Sequence, residues 1–185
     1  MFFFIAVFIF LVGIISLFAF PALSPVPYFP TNKKDLDLIV GAFNLPPSEK
    51  TIIDGGAGDG TVIFAAATAA FQQKKSDRFV AVEINPVLVL ILQIRRFFHP
   101  NKNSITILWA DMLSLPFDRL PEFKHTSIIF YAYLSPQFLV KAVNYFYLRC
   151  KSFRLVSYMY PVMNSQARLL KKITGVNTIY VYRVV

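Results

Sequence analysis

The stretch Thr51-Ile52-Ile53-Asp54-Gly55-Gly56-Ala57-Gly58-Asp59-Gly60-Thr61 constrains this chain most, because few backbones can carry it. A short apolar run ends in an acid, passes through four glycines and opens an Ala-rich segment. The isoleucines suit a buried strand. The glycines supply positive φ without side-chain bulk, and the alanines that follow suit a helix. Strand, bare turn and helix N-terminus, in that order, let a ligand approach the main chain closely.

The same alternation continues downstream. Thr31 or Asn32 caps a helix with Leu36, Ile39, Val40 and Phe43 on one face, stopped by Pro46-Pro47. After the glycine turn a helix is expected from Thr61 to about Gln73, then a strand over Arg78–Ile84. Asn85 with Pro86 starts a helix to about Phe98. Strands follow over Ser104–Ala110, Thr126–Leu134 and Leu155–Tyr160, with a helix from Ser135-Pro136 to Cys150. Leu169–Thr174 and Thr178–Val184 flank Gly175-Val176-Asn177 as a hairpin. Continuous apolar strands alternating with helices imply an α/β fold. The expected architecture is a Rossmann-like, mostly parallel seven-stranded sheet with helices on both faces and a C-terminal antiparallel hairpin.

The N-terminus adds a further expectation. Phe2 to Phe20 is an uncharged apolar run, which as a helix spans roughly 28 Å. No Lys or Arg precedes it, which argues against a signal peptide. The sequence thus implies a transmembrane anchor over 1–20 and a Pro-rich linker over 21–30 (Pro21, Pro25, Pro27, Pro30), with the folded domain over 31–185. Lys33 and Lys34 follow the run, so the domain is expected on the cytoplasmic or mitochondrial matrix side of a single-pass protein. The lipid bilayer is then a partner through residues 2–20.

The net charge of +9 is uneven: all ten acids lie between Asp35 and Glu122, and residues 123–185 hold none. A solvated or lipid-facing surface accounts for this excess. No basic run is interleaved with aromatics, which counts against a strand-binding groove for nucleic acid. Cys150 is alone, so no internal disulfide forms. His99 and His125 lack metal-ligand spacing, so no metal site is expected.

In open α/β sheets ligands sit at the carboxyl ends of the strands. Three acids fall there: Asp54 ends the first strand, Glu83 the second and Asp111 the third. Gly56, Gly58 and Gly60 are spaced G-x-G-x-G, whereas a dinucleotide fingerprint wants its third glycine at Thr61. Asp54 and Asp59 would also repel a pyrophosphate; a ligand with a positive centre suits them better. On these residues the chain resembles class I S-adenosylmethionine-dependent methyltransferases. The resemblance implies S-adenosylmethionine as cofactor, with the segment Asp54, Gly55, Gly56, Ala57, Gly58, Asp59 and Gly60 at its methionine end. It also implies Glu83 on the ribose hydroxyls and Asp111 on the adenine amine.

A narrower resemblance rests on Tyr28-Phe29-Pro30-Thr31, on Val82-Glu83-Ile84-Asn85-Pro86-Val87-Leu88-Val89-Leu90 and on Val156-Ser157-Tyr158-Met159-Tyr160-Pro161. These segments are similar to a group of protein lysine methyltransferases. The group includes mitochondrial membrane-anchored enzymes acting on the ADP/ATP carrier and on ATP synthase subunit c, and an archaeal relative. The resemblance implies N-methylation of lysine, with a membrane or membrane-associated protein as the expected substrate. Met159 stands where that group usually has an acid. Tyr131, Tyr133, Tyr158 and Tyr160 are candidates to line the acceptor pocket, where their ring faces could hold an ammonium. A lipid or small-molecule acceptor at the membrane, or a catalytically silent cofactor-binding scaffold, stays open beside this reading. The Asn/Asp-Pro-Pro-Tyr/Phe element of base and glutamine methyltransferases is absent after Phe130, which counts against those substrates.

Overall fold

The computed structural model describes residues 2–19, 29–44, 49–120 and 127–185. Its centre is a seven-stranded sheet in the order β3-β2-β1-β4-β5-β7-β6. The strands are β1 (Lys50–Gly55), β2 (Arg78–Glu83), β3 (Ile105–Trp109), β4 (Ser127–Ala132), β5 (Phe153–Tyr158), β6 (Ala167–Thr174) and β7 (Thr178–Val184). The first five pair in parallel, and β7 then runs antiparallel to both β5 and β6. The expected sheet and closing hairpin are therefore present. Every residue of β1 is buried, as a strand covered on both faces requires.

The helices are α1 (Phe2–Ala19), α2 (Leu36–Ala42), α3 (Thr61–Gln72), α4 (Pro86–Phe97) and α5 (Pro136–Cys150). One core joins α2 and α3 to one face of the sheet through Ile39, Phe43, Ile63, Ile52, Val156 and Tyr158. The second lies on the opposite face and joins Phe130, Leu155 and Tyr182 to Phe146 of α5. Phe130 and Phe146 stack there with ring centroids 4.6 Å apart. Asn85 caps α4 as its sequence suggests, its side-chain oxygen accepting from the Val87 amide at 2.9 Å. The helix expected after Asn32 begins instead with a 3₁₀ turn over Lys33–Asp35, capped by Asn32.

β5 begins two residues before its expected start and ends two residues before its expected end. Met159 adopts φ 74°, which an extended strand cannot contain, so the strand stops at Tyr158. Residues 20–28, which hold most of the expected linker and Tyr28, lie outside the described residues, as do Pro46-Pro47 and Thr126.

The expected transmembrane anchor is corrected by the structure. Among the described residues no helix is long and apolar enough to cross a membrane. Helix α1, described over Phe2–Ala19, does not combine the length and sustained apolarity that a span requires. Three expectations fall with it: the bilayer as a partner through residues 2–20, the single-pass placement on the cytoplasmic or matrix side, and the membrane-bound substrate.

Candidate active site

The sheet order reverses direction at β1, which has β2 on one side and β4 on the other. The chain thus opens a crevice at the carboxyl ends of β1 and β4, where ligands bind in folds of this kind. Asp54 and Tyr131 are register partners at this crevice. The glycine turn leaves β1 beside them, held by the Gly56 and Ala57 amides donating to the Val82 carbonyl, both at 2.9 Å.

Glycine is required at three points of the turn. Gly56, Gly58 and Gly60 have φ of 96°, 58° and 79°. A Cβ on Gly60 would lie 2.5 Å from Leu92 Cδ2 and 2.6 Å from Phe64 Cε2, so this residue lets α3 and α4 close on the turn. A Cβ on Gly56 would meet nothing nearer than Leu134 Cδ2 at 3.9 Å. The turn is therefore tight towards the core and open on its other side, which is the cradle that a bulky ligand needs.

The acids around the turn are not alike. Asp54 is 4% exposed. Burial, reinforced by the charges of Glu83 and Asp59, pushes its carboxyl up to about 8. Glu83 is also buried, and its carboxylate is organised by backbone amides. Oε2 accepts from Gly58 at 2.8 Å, and Oε1 accepts from Ile84 and Asn85 at 2.9 Å each. A carboxylate offers about four acceptor sites, so Glu83 keeps capacity for a hydroxyl donor. Asp111 is exposed, and its Oδ1 accepts from the Leu113 amide at 2.9 Å. Trp109 beside it is exposed, with its indole N–H donating to the Ile84 carbonyl at 3.0 Å.

Asp59 is turned to a structural task. Its carboxylate accepts from the amide and hydroxyl of Thr61, the first residue of α3, at 3.1 and 2.8 Å, and pairs with Arg95 at 3.2 Å. Arg95 also donates to the Asp59 carbonyl and lies over the Phe64 ring. Nothing in the sequence marks Arg95, whose partner is 36 positions away.

The four tyrosines divide between the faces. Tyr131, Tyr133 and Tyr158 lie on the α2 face, whereas Tyr160 packs against the opposite core. Tyr131 is buried, and its hydroxyl lies 3.3 Å from the Thr31 hydroxyl. Burial first, then the charge of Asp54, raises its pKa well above the usual phenol. Tyr133 is half-buried, edge-on to Tyr158 at 5.0 Å, and donates to Met159 Sδ at 3.7 Å. Burial raises its pKa, and the Tyr160 charge adds to this.

Tyr158 is anchored by groups that the sequence does not advertise. Its hydroxyl donates to Asp35 Oδ2 at 2.7 Å and accepts from Asn177 Nδ2 at 2.8 Å. Burial leads the causes that push its pKa up to about 12. Asp35 also accepts from the Val176 and Asn177 amides at 2.6 and 2.8 Å. Burial works against its charge. The Asn177 amide, the Tyr158 hydroxyl and the Val176 amide outweigh that effect and hold the carboxyl below its usual range.

No family model matches this chain, and no curated protein matches it in sequence. Solved structures do match its fold. An RNA methyltransferase from Salinibacter ruber, in complex with S-adenosyl-L-homocysteine, has a TM-score of 0.67 at 18% identity, covering 84% of this chain and 94% of the other. A precorrin-6y C5,15-methyltransferase from Geobacter metallireducens has a TM-score of 0.53 at 18% identity, over 84% and 93%. TrmK of M. capricolum, with S-adenosyl-homocysteine, has 0.55 at 10%, over 84% and 69%. The fold is that of class I S-adenosylmethionine-dependent methyltransferases. The expected acceptor, a lysine on a membrane or membrane-associated protein, is corrected. The anchor that motivated it is absent from the described residues, and these structural likenesses carry no lysine specificity.

Proposed function

We propose that this chain is a methyltransferase using S-adenosylmethionine, with the crevice between β1 and β4 as its active site. The observation that carries this reading is the open glycine turn with Asp54, Glu83 and Asp111 at three successive strand ends. The donor set fits the cofactor: acids stand where a pyrophosphate would be repelled, and the open side of Gly56 leaves room beside them. Asp54, with the 55–60 turn, faces the cationic methionine end. Glu83 adds a ribose hydroxyl to the backbone amides it already holds, and Asp111 accepts from the adenine amine. Asp59 acts through the turn, by fixing the α3 N-terminus.

When bound, S-adenosylmethionine supplies an electrophilic methyl group on a sulfonium. Transfer from it would need no covalent nucleophile from the chain, whose Asp54, 55–60 turn, Glu83 and Asp111 would hold the cofactor. Catalysis is then a matter of holding a neutral nucleophile in line and excluding water. Tyr131, Tyr133 and Tyr158 form the aromatic wall beside the crevice that does this. Tyr160 supports the strand end from the other face.

Calorimetry of the full chain with S-adenosylmethionine, S-adenosylhomocysteine and NAD tests the cofactor. Binding of the first two alone is expected; a preference for NAD would sink the reading. Methyl-labelled cofactor incubated with cell fractions then tests the acceptor. The protein-lysine activity implied by the three segment resemblances predicts label in methyl-lysine after hydrolysis. Label confined to RNA, lipid or a small molecule would end that finer reading and leave the methyltransferase intact.

A further inference from the structure

Strand register assembles a group of cations that is scattered along the sequence. Arg154 of β5 pairs with Arg183 of β7, which pairs in turn with Arg168 of β6. Directly opposed residues share a face of the sheet. The three side chains therefore form one row, on strands about 4.8 Å apart. A bulge between Leu169 and Lys171 puts Lys171 opposite Val181, on this same face. The rest of that face, with Val156, Tyr158, Ile179 and Val181, is buried in the core that α2 closes. Arg168, Lys171 and Arg183 are exposed there and Arg154 is half-buried. Four residues of strand, about 13 Å, separate Arg154 from Tyr158 at the active-site end.

Nothing in the described structure neutralises these charges. The ion pairs among the described residues are Lys50–Asp77 and Arg95–Asp59, and neither involves the row. Residues 123–185 contain no acid at all. Like charges placed directly opposite each other cost stability. Guarding a sheet edge with cations accounts for Arg168 and Lys171 on β6. It does not account for Arg154 and Arg183, because β5 and β7 are interior strands.

We propose that this row is a docking site for the phosphate backbone of a nucleic acid. Guanidinium forks match phosphate oxygens in bidentate geometry. A protein partner would call for apolar or aromatic anchors at the centre of the contact, and the row has none. The contact is to phosphate alone, without base stacking or sequence preference, and it is independent of the methyl-transfer reading.

The test is fluorescence anisotropy of a labelled oligouridylate with the full chain over a range of salt. The variant R154Q/R168Q/R183Q is compared with a charge-matched control, K34Q/K102Q/K141Q. Three single-strand phosphate contacts at about 0.7 each predict that the log–log salt slope of the row variant is shallower by about 2. The affinity advantage of the parent over that variant then shrinks roughly twentyfold between about 50 and 200 mM salt. The control is expected to keep the parental slope. Equal slopes in parent and row variant, or an equal loss in the control, overturn the proposal. So does polyglutamate that displaces the probe as well as unlabelled RNA does, since that outcome identifies an acidic protein segment as the partner. Should the triple variant fail to fold, Arg183→Gln alone removes the middle of the row and is expected to show about a third of the slope change.

Discussion

Replacing Asp54 by Asn should stabilise this protein while weakening its grip on the cofactor. Asp54 is almost fully buried, and burial, with Glu83 and Asp59 nearby, pushes its carboxyl from 3.8 to about 8. About four units at 1.4 kcal/mol each make ionisation in the folded chain cost on the order of 5 kcal/mol. The folded state holds this proton more tightly than the unfolded state. The stabilisation from Asp54 is therefore complete below about pH 4, drains away as pH rises towards 8, and is level beyond. Asn keeps the shape and removes the charge. At pH 8 the variant should gain a few kcal/mol, which at about 2–4 °C per kcal/mol means at least about 6 °C in Tm. At pH 5 the gain should be far smaller. Thermal melts followed by circular dichroism at both pH values read the difference directly. Calorimetry with S-adenosylmethionine at pH 9, where Asp54 is ionised, should show affinity falling at least about tenfold through loss of a charged partner. A Tm at pH 8 no higher than the parent's, or an identical shift at pH 5, would refute the burial argument. Unchanged affinity would refute the proposed role.

Three further outcomes are expected. Glu83→Ala should weaken cofactor binding by about 1.5–3 kcal/mol, because a charge-assisted acceptor is lost and the Gly58 amide loses its partner; unchanged calorimetric affinity would count against the assignment. Gly60→Ala forces a Cβ to within 2.5 Å of Leu92 at φ 79°, and urea titration should show a loss above about 1 kcal/mol from strain and overpacking. Lys50→Met breaks a buried ion pair to Asp77 of 2.9 Å, and should cost about 3–5 kcal/mol by the same titration. The double variant with Asp77→Leu should recover much of that loss.

What was legible in the sequence was local. The glycine turn, the Asn85 cap and the apolar strands each depend on residues a few positions apart, so pattern and turn chemistry identify them. The acids at strand ends were legible for the same reason. What was not legible depends on distance. Arg95 finds Asp59 across 36 positions and Asp35 finds Asn177 across 142, and neither residue carries a mark of its own. The arginine row exists only once β5, β7 and β6 are in register. At the N-terminus, hydropathy proved a poor guide to span: the run is apolar throughout, yet among the described residues no helix is long and apolar enough to cross a membrane. Met159 illustrates a different gap: its positive φ, which shortens β5, occurs at a residue whose amide donates to the Thr178 carbonyl at 2.8 Å, a partner distant in sequence.

The bonds around Asp35 set an order of events during synthesis. Asp35 lies next to α2, near the beginning of the domain, yet three of its donors are Tyr158 and the amides of Val176 and Asn177. On a growing chain, β1 to β4 can be made and paired while those donors do not yet exist. Until they arrive, docking α2 would bury a carboxylate without partners, which is costly. The helix that is made early must therefore be seated late, after the final hairpin has emerged. A ribosome-stalled chain ending before Val176 should leave α2 open to protease even where the central strands are already protected.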